Sequence, residues 1–115
     1  MVVVVFKIQH RPDLPVAEYE EVGARMLELV GEMPGFLGMD YAEIEGGELL
    51  VVRFESQEAL EAWRTHPEHQ ATQRLGRERF FQSYRIEVCE TVRAYDFDAA
   101  LEGSGQEAAR AQAPE

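Results

Sequence analysis

Hydrophobic and polar positions divide the chain into four strand-like segments, each with the composition or alternation of a β-strand. The first segment opens with a β-branched run and continues as apolar–polar alternation, which predicts a strand. Two shorter apolar segments are joined by Gly46-Gly47, which predicts a β-hairpin. The predicted strands cover residues 2–10, 36–44, 49–55 and 80–95.

Apolar residues recur at helical spacing in two further segments. From Val16 to Gly31 they predict a helix whose wet face carries acidic residues. Ser56 is a suitable N-cap for a second helix. Pro67 removes a backbone donor and also favours the start of a new turn, so we expect a bent or two-piece helix over residues 57–76.

The predicted order β-α-β-β-α-β is that of the ferredoxin-like α+β unit, with a four-stranded antiparallel sheet. Both helices must then cover one sheet face. Large apolar side chains nevertheless occur in both alternation classes, so the second face is too apolar for water and a homodimer is expected. Within residues 49–55, Leu49 and Val51 belong to one class and Leu50, Val52 and Phe54 to the other. Within residues 36–44, Leu37, Met39 and Tyr41 belong to one class and Phe36 and Ala42 to the other.

Length and charge limit the class of protein. The 115 residues suit one domain, which we place at residues 1–96, and residues 97–115 form an Ala-, Glu- and Gln-rich tail expected to be a loose helix or disordered. A net charge of −11 disfavours nucleic-acid binding. The single Cys89 cannot form an internal disulfide. Without a leader or a membrane-length apolar run, the sequence predicts a cytoplasmic protein with no membrane partner.

The versatile side chains concentrate around the predicted bend. The segment that follows Ser56 contains the only Trp, Trp63, together with His66 and His69 on either side of Pro67. An aromatic ring and an imidazole at one bend can form a small pocket with one polar group. The alternatives are structural: Trp63 as core packing, His66 as a capping or surface residue, and His69 as an exposed helix residue. Two further alternatives are His10 as a loop residue and Cys89 as a small core residue.

Four segments, residues 33–39, 50–63, 66–69 and 81–95, together resemble the antibiotic biosynthesis monooxygenase family over residues 2–96. The resemblance implies a dimeric α/β-barrel whose ferredoxin-like protomers each hold a cavity between sheet and helices. It implies two activities found among members: oxygenation of phenols or quinols without metal or flavin, and binding and degradation of haem. Other members have no known activity, so a non-catalytic ligand-binding barrel is a third alternative.

The haem-degrading branch of the family is characterised by an Asn at the end of the first strand, a Trp in the second helix and a later axial His. Trp63 fits this pattern, but Gln73 stands where the axial His is wanted. The first strand ends with Gln9-His10, and the chain has no Asn. Haem degradation is therefore disfavoured, although haem binding through His69 or His10 stays open.

The preferred hypothesis is a cofactor-independent monooxygenase acting on a small aromatic substrate, without metal. Oxygenation of a phenol needs a base, and His has an unperturbed pKa of about 6.5, close to working pH. His69 is the candidate base and Trp63 the candidate aromatic wall. The expected substrate-binding residues are Gln9, Arg53 and Tyr84, with Arg53 or Arg85 available to stabilise an anion.

Overall fold

The structure, a computed structural model, describes residues 1–100. Its elements follow the predicted order, and the second helix is in two pieces, as expected. A π-helical turn at Gly76–Phe80 joins the last helix to the last strand. The elements are β1 (Val2–His10), α1 (Val16–Gly31), β2 (Phe36–Ile44), β3 (Gly47–Phe54), α2 (Gln57–Arg64), α3 (Pro67–Leu75) and β4 (Phe81–Glu90).

The four strands form one antiparallel sheet in the order β2-β3-β1-β4, which confirms the ferredoxin-like α+β fold. Opposed residues share a sheet face. Val2 opposes Phe54, and Ile8 opposes Tyr84, so these four side chains lie on one face. We call this the helix face because Val2 and Phe54 pack against the helices. The other side is called the open face.

The core lies between the helix face and the helices. Helices α1 and α2 contribute apolar side chains to it, and burial of each large one stabilises the fold by about 1.5–3 kcal/mol. Ser56 fixes the start of α2 because its side chain accepts a hydrogen bond from the Ala59 N–H. The buried members of this core are Val2, Leu29, Val30, Phe54, Leu60 and Trp63.

The predicted facing of β2 is wrong at its first residues. Phe36 opposes Phe54 and Gly38 opposes the adjacent Arg53, so Leu37 is an extra residue in a β-bulge. Gly38 has a φ of +148°, which favours glycine. The bulge shifts the alternation, so the side chains of Phe36 and Met39 lie on the same face, the helix face, although alternation predicted opposite faces.

The last strand is shorter than predicted. It ends at Glu90 rather than at residue 95, because its neighbour β1 begins at Val2, directly opposite Glu90. One further hydrogen bond, from the Thr91 N–H to the Met1 carbonyl, completes the pairing. Cys89 is exposed on β4, so its assignment to the core is also wrong. Residues 101–115, which hold most of the expected loose or disordered tail, lie outside the described residues.

The open face carries an apolar centre, as the alternation predicts. Val5 opposes Val51 there, and Val3 and Leu49 occupy adjacent positions of the same face. Charged residues flank this centre, among them the ion pair Arg53–Asp40, whose atoms are 2.9 Å apart. The expected homodimer stays a prediction. Within residues 1–100 no helix is long and apolar enough to cross a membrane.

Candidate functional site

Pro67 produces the bend that builds the site. In a continuous helix the N–H of residue 67 would bond the carbonyl of Trp63, four residues earlier, but proline has no N–H. Helix α2 therefore ends, and His66 caps α3 by accepting a hydrogen bond from the Glu68 N–H at its Nδ1, 3.1 Å away. The Trp63 carbonyl accepts the His66 N–H at 3.1 Å instead, and its second lone pair is available to another donor.

His69 uses that carbonyl. Its Nδ1 lies 3.0 Å from the Trp63 oxygen. The two rings also stack, with centroids 4.1 Å apart and planes at 19°. Trp63 is only 8% exposed, so its position is fixed by the core. The imidazole is thus held at one edge by a hydrogen bond and on one face by a buried indole.

Burial makes His69 neutral at pH 7. It lowers the pKa of His69 below the ordinary 6.5, the neighbouring charges of His66 and Arg64 lower it further, and the bond to the Trp63 carbonyl opposes this shift. A carbonyl only accepts, so the single ring proton is on Nδ1. Nε2 then carries the lone pair of the ring, and it accepts a hydrogen bond from the Gln73 side-chain N–H at 3.3 Å.

A groove of about 390 Å³ opens beside this imidazole, between the helices and β4. Its helical wall is polar and includes three arginines. Its sheet wall comes from two exposed residues on the helix face of β4. The lining residues are Arg64, His69, Gln70, Gln73, Arg74, Arg77, Tyr84 and Ile86.

An aromatic cluster supports the sheet wall. Phe6, Phe81 and Tyr84 contact one another edge to face, with centroid separations of 5.5–6.0 Å. Such pairs contribute about 0.5–1.5 kcal/mol each beyond their burial. Tyr84 is therefore held in place at the groove, although it is 37% exposed.

The π-helical turn Gly76–Phe80 connects the two walls. Arg11 fixes it from outside, because its guanidinium donates to the carbonyls of Arg77 and Phe81. Gly76 is required for space, since an added Cβ would collide with the ring of Phe81. π-Helical turns are frequent at functional sites, and here the turn carries the groove residue Arg77.

The structure brings together three of the predicted site residues and separates two. His69 and Tyr84 line the groove, and Trp63 packs behind His69. Gln9 and Arg53 do not line this groove. Gln9 is next to Ile8 and Arg53 is next to Phe54 along their strands, and since Ile8 and Phe54 lie on the helix face, the side chains of Gln9 and Arg53 lie on the open face. Arg85, which opposes Lys7 of β1, lies on the open face for the same reason.

Sequence reasoning missed most of the helical wall. Gln70, Gln73 and Arg74 follow one another at the i, i+3, i+4 spacing of a single helix face, and Arg77 comes three residues later. This spacing usually marks the apolar stripe of a helix. A polar residue at each of these positions is the available signal, but on its own it looks the same as ordinary solvated surface.

A second polar cluster lies at the C-terminal end of β1. The buried Glu48 accepts a hydrogen bond from the Tyr19 hydroxyl at 2.7 Å. Burial, and then the Glu48 carboxylate, raise the pKa of Tyr19, so this hydroxyl stays protonated. His10 Nε2 lies 3.4 Å from the carboxylate without hydrogen-bond alignment. His10 is thus a partner of a buried carboxylate rather than a loop residue.

The chain is similar to one known protein in sequence and to others in fold. The chain is 37% identical to the uncharacterised protein YqjZ of Bacillus subtilis over 76 residues, which are 65% of this chain and 67% of that protein. SnoaB, a cofactor-independent oxygenase from Streptomyces nogalater, superposes with a TM-score of 0.67 at 14% identity, covering 81% of this chain and 94% of SnoaB.

A dimeric protein of ferredoxin-like fold from Bacteroides fragilis superposes with a TM-score of 0.57 at 21% identity, covering 78% of this chain and 95% of that one. At these identities the structural likeness concerns the fold alone. The sequence also matches the family model for antibiotic biosynthesis monooxygenases over residues 1–75, which include β1, the hairpin and the whole Trp63–His69 bend. The chain therefore belongs to the antibiotic biosynthesis monooxygenase family.

Proposed function

We propose that this protein is a cofactor-independent monooxygenase that acts on a small phenol or quinol in the groove. One observation carries the proposal: His69, whose Nδ1 is bonded to the Trp63 carbonyl, lines a groove whose opposite wall is Tyr84 and Ile86. The membership in the family and the fold shared with the oxygenase SnoaB support it.

The first step needs a base. Triplet dioxygen reacts slowly with closed-shell molecules, whereas an electron-rich phenolate can give it one electron. His69 Nε2 accepts the phenolic proton, while the bond from Nδ1 to the Trp63 carbonyl stabilises the imidazolium that forms. The Gln73 amide donates to Nε2 in the unliganded site; when the phenolic hydroxyl takes its place at Nε2, the amide donates to the phenolate oxygen instead.

Oxygen transfer then needs no external reductant. The phenolate gives one electron to dioxygen, and the resulting aryloxyl radical and superoxide join through a new carbon–oxygen bond at a ring C–H. The imidazolium protonates the peroxide. Loss of the ring C–H proton with cleavage of the O–O bond leaves a quinone oxygen on the ring and releases hydroxide, which takes up that proton. Phenol and dioxygen thus give quinone and water.

We also propose that two copies pair through their open faces. The apolar centre around Val5 and Val51 supports this pairing, because water would otherwise cover a continuous apolar patch. A dimeric protein shares the protomer fold, which is consistent with it. The groove lies on the helix face, so such pairing leaves it accessible.

Oxygen uptake tests the activity. Wild-type protein is mixed with 1,4-hydroquinone and with 2,5-dihydroxybenzoate, and the buffer rate is subtracted. We expect uptake and a product one oxygen richer. His69→Ala is expected to lower kcat by about 100-fold or more, as for loss of a general base. The matched control His66→Asn keeps a capping side chain at the same bend and is expected to keep the rate.

Three results would contradict the proposal. The first is uptake in His69→Ala equal to that of wild type, and the second is no uptake above the buffer rate with either substrate. The third is a Soret band on titration with hemin that His69→Ala abolishes, which would favour the haem-binding alternative. Circular dichroism of each variant verifies that the fold is retained.

A further inference from the structure

The groove has the opposite charge to the rest of the protein. The chain carries 22 acidic and 11 basic residues. The groove nevertheless has three arginines and no Asp or Glu among its eight lining residues. A positive site in a negatively charged protein selects among ligands, because it attracts anions while the surrounding surface repels them.

Two of these arginines have no carboxylate partner among the described residues, unlike most arginines there. Arg64 is paired with Glu61 at 2.8 Å. Within residues 1–100, neither Arg74 nor Arg77 has a carboxylate within 4.0 Å. Five of the nine arginines in that part of the chain do have one: Arg25, Arg53, Arg64, Arg79 and Arg85.

Paired and unpaired arginines occur side by side in the π-helical turn. Arg79 lies two residues after Arg77 in the same π-helical turn and pairs with Glu18 at 2.8 Å. Among the described residues, the groove residue is therefore the unpaired one of the two. Guanidinium groups match carboxylates through paired N–H donors, and such charge-assisted bonds are about twice as strong as neutral ones.

The wall opposite the arginines determines the rest of the ligand. Tyr84 and Ile86 are 37% and 43% exposed, and they present an aromatic and an aliphatic surface to the groove. A ring that covers them removes apolar area from water. His69 precedes Arg74 by five positions, about 7.5 Å along a helix. One aromatic ring that carries a hydroxyl group away from its carboxylate, as at positions 5 and 1 of 2,5-dihydroxybenzoate, can bridge much of such a separation.

From these contacts we propose that the groove takes a phenolic acid, an aromatic ring that carries both a hydroxyl group and a carboxylate. The carboxylate binds Arg74 and Arg77, the ring covers Tyr84 and Ile86, and the hydroxyl meets His69. The hydroxyl's role rests on the proposed oxygenase function. The carboxylate's role rests on the charges alone, so it is tested separately by binding.

Calorimetric titration at constant pH compares 2,5-dihydroxybenzoate with its methyl ester, which keeps the ring and both hydroxyls but removes the charge. The acid is expected to bind about tenfold or more tightly than the ester. Its affinity should fall as salt is added, and the ester's should not. Equal affinities, or no binding of the acid, would overturn the proposal.

Arginine variants locate the effect. Arg74→Gln/Arg77→Gln is expected to bring the acid's affinity down to that of the ester without changing the ester's. Arg77→Lys keeps the charge and should retain part of the preference for the acid. If the double variant folds poorly, this single variant still tests whether Arg77 contributes to that preference. The control Arg93→Gln removes the same charge outside the groove and should leave the preference unchanged. A preference that survives in a folded double variant refutes the assignment.

The outcomes separate this inference from the proposed function. Binding of the acid through Arg74 and Arg77 without oxygen uptake would refute the oxygenase and keep the phenolic-acid site. Oxygen uptake with 1,4-hydroquinone, but no preference for the acid over its ester, would keep the oxygenase and refute the phenolic-acid site.

Discussion

At the scale of single residues, the site depends on how His69 is held. Its Nδ1–H donates to a backbone carbonyl, its ring stacks on Trp63, and its Nε2 is free of a proton. Neither contact could be predicted from the sequence, because the carbonyl that fixes the tautomer is a backbone group. The sequence did indicate Pro67, whose missing N–H leaves one lone pair of that carbonyl to His69.

The lowered pKa of His69 predicts a stability change with pH. Above 6.5, the ordinary pKa of histidine, the ring is neutral in both the folded and unfolded states. Below it the unfolded chain takes up a proton that the folded site disfavours, so the free energy of unfolding falls until the pH reaches the lowered pKa of His69. Urea titrations between pH 7.5 and about 5.5 measure this loss, and His69→Gln should reduce it.

Among residues 1–100, the other group with a lowered pKa is Glu68, and it acts in a different pH range. Glu68 loses its bonds to Arg25 only as the pH falls below 4.5, its ordinary value. A decline in stability between pH 7.5 and about 5.5 that is the same in wild type and His69→Gln would therefore contradict the assignment to His69.

At the scale of elements, the sequence predicted the strand and helix order but not the local irregularities. The bulge at Leu37 and the π-helical turn at residues 76–80 each shift the facing of the residues beyond them. Periodicity assumes regular elements, so it could place Tyr84 on a strand but could not place it opposite α3. That Gln9 and Arg53 face away from this groove could not be predicted for a simpler reason, because alternation alone does not say which face meets the helices.

Two glycine substitutions test the fit of the π-helical turn. Gly76→Ala would place a Cβ against the ring of Phe81, and such overpacking costs about 1–3 kcal/mol, more than the roughly 1 kcal/mol gained from helix propensity. Gly23→Ala in α1 meets nothing within 4 Å and should stabilise the protein by up to about 1 kcal/mol. Thermal unfolding compares them. A Gly76→Ala variant as stable as Gly23→Ala would show that the turn has spare room.

At the scale of the whole molecule, the two sheet faces have different roles. The helix face carries the core and, along β4, the groove wall, and the open face carries a second apolar surface. The double apolar alternation predicted this surface correctly. The positive groove in a chain of net charge −11 was not predicted. The sequence places Arg74 and Arg77 three residues apart, but it does not show that they border a groove whose other wall is β4.

The proposed pairing of open faces predicts a mass of twice the monomer by light scattering at micromolar concentration. Val5→Glu puts a charge at the apolar centre and should give monomers, because an unpaired buried charge costs several kcal/mol. Ala24→Glu adds the same charge at an exposed position of α1 and should stay dimeric. A monomeric wild type would exclude the pairing.

The central claim is that neutral His69 acts as the base in the groove, and the pH dependence of oxygen uptake tests it most directly. With 1,4-hydroquinone, kcat/KM should be level near pH 7 and fall at lower pH with an apparent pKa below 6.5, as His69 gains a proton. In His69→Ala the residual rate should lack that decline. A decline with the same apparent pKa in His69→Ala would contradict the account.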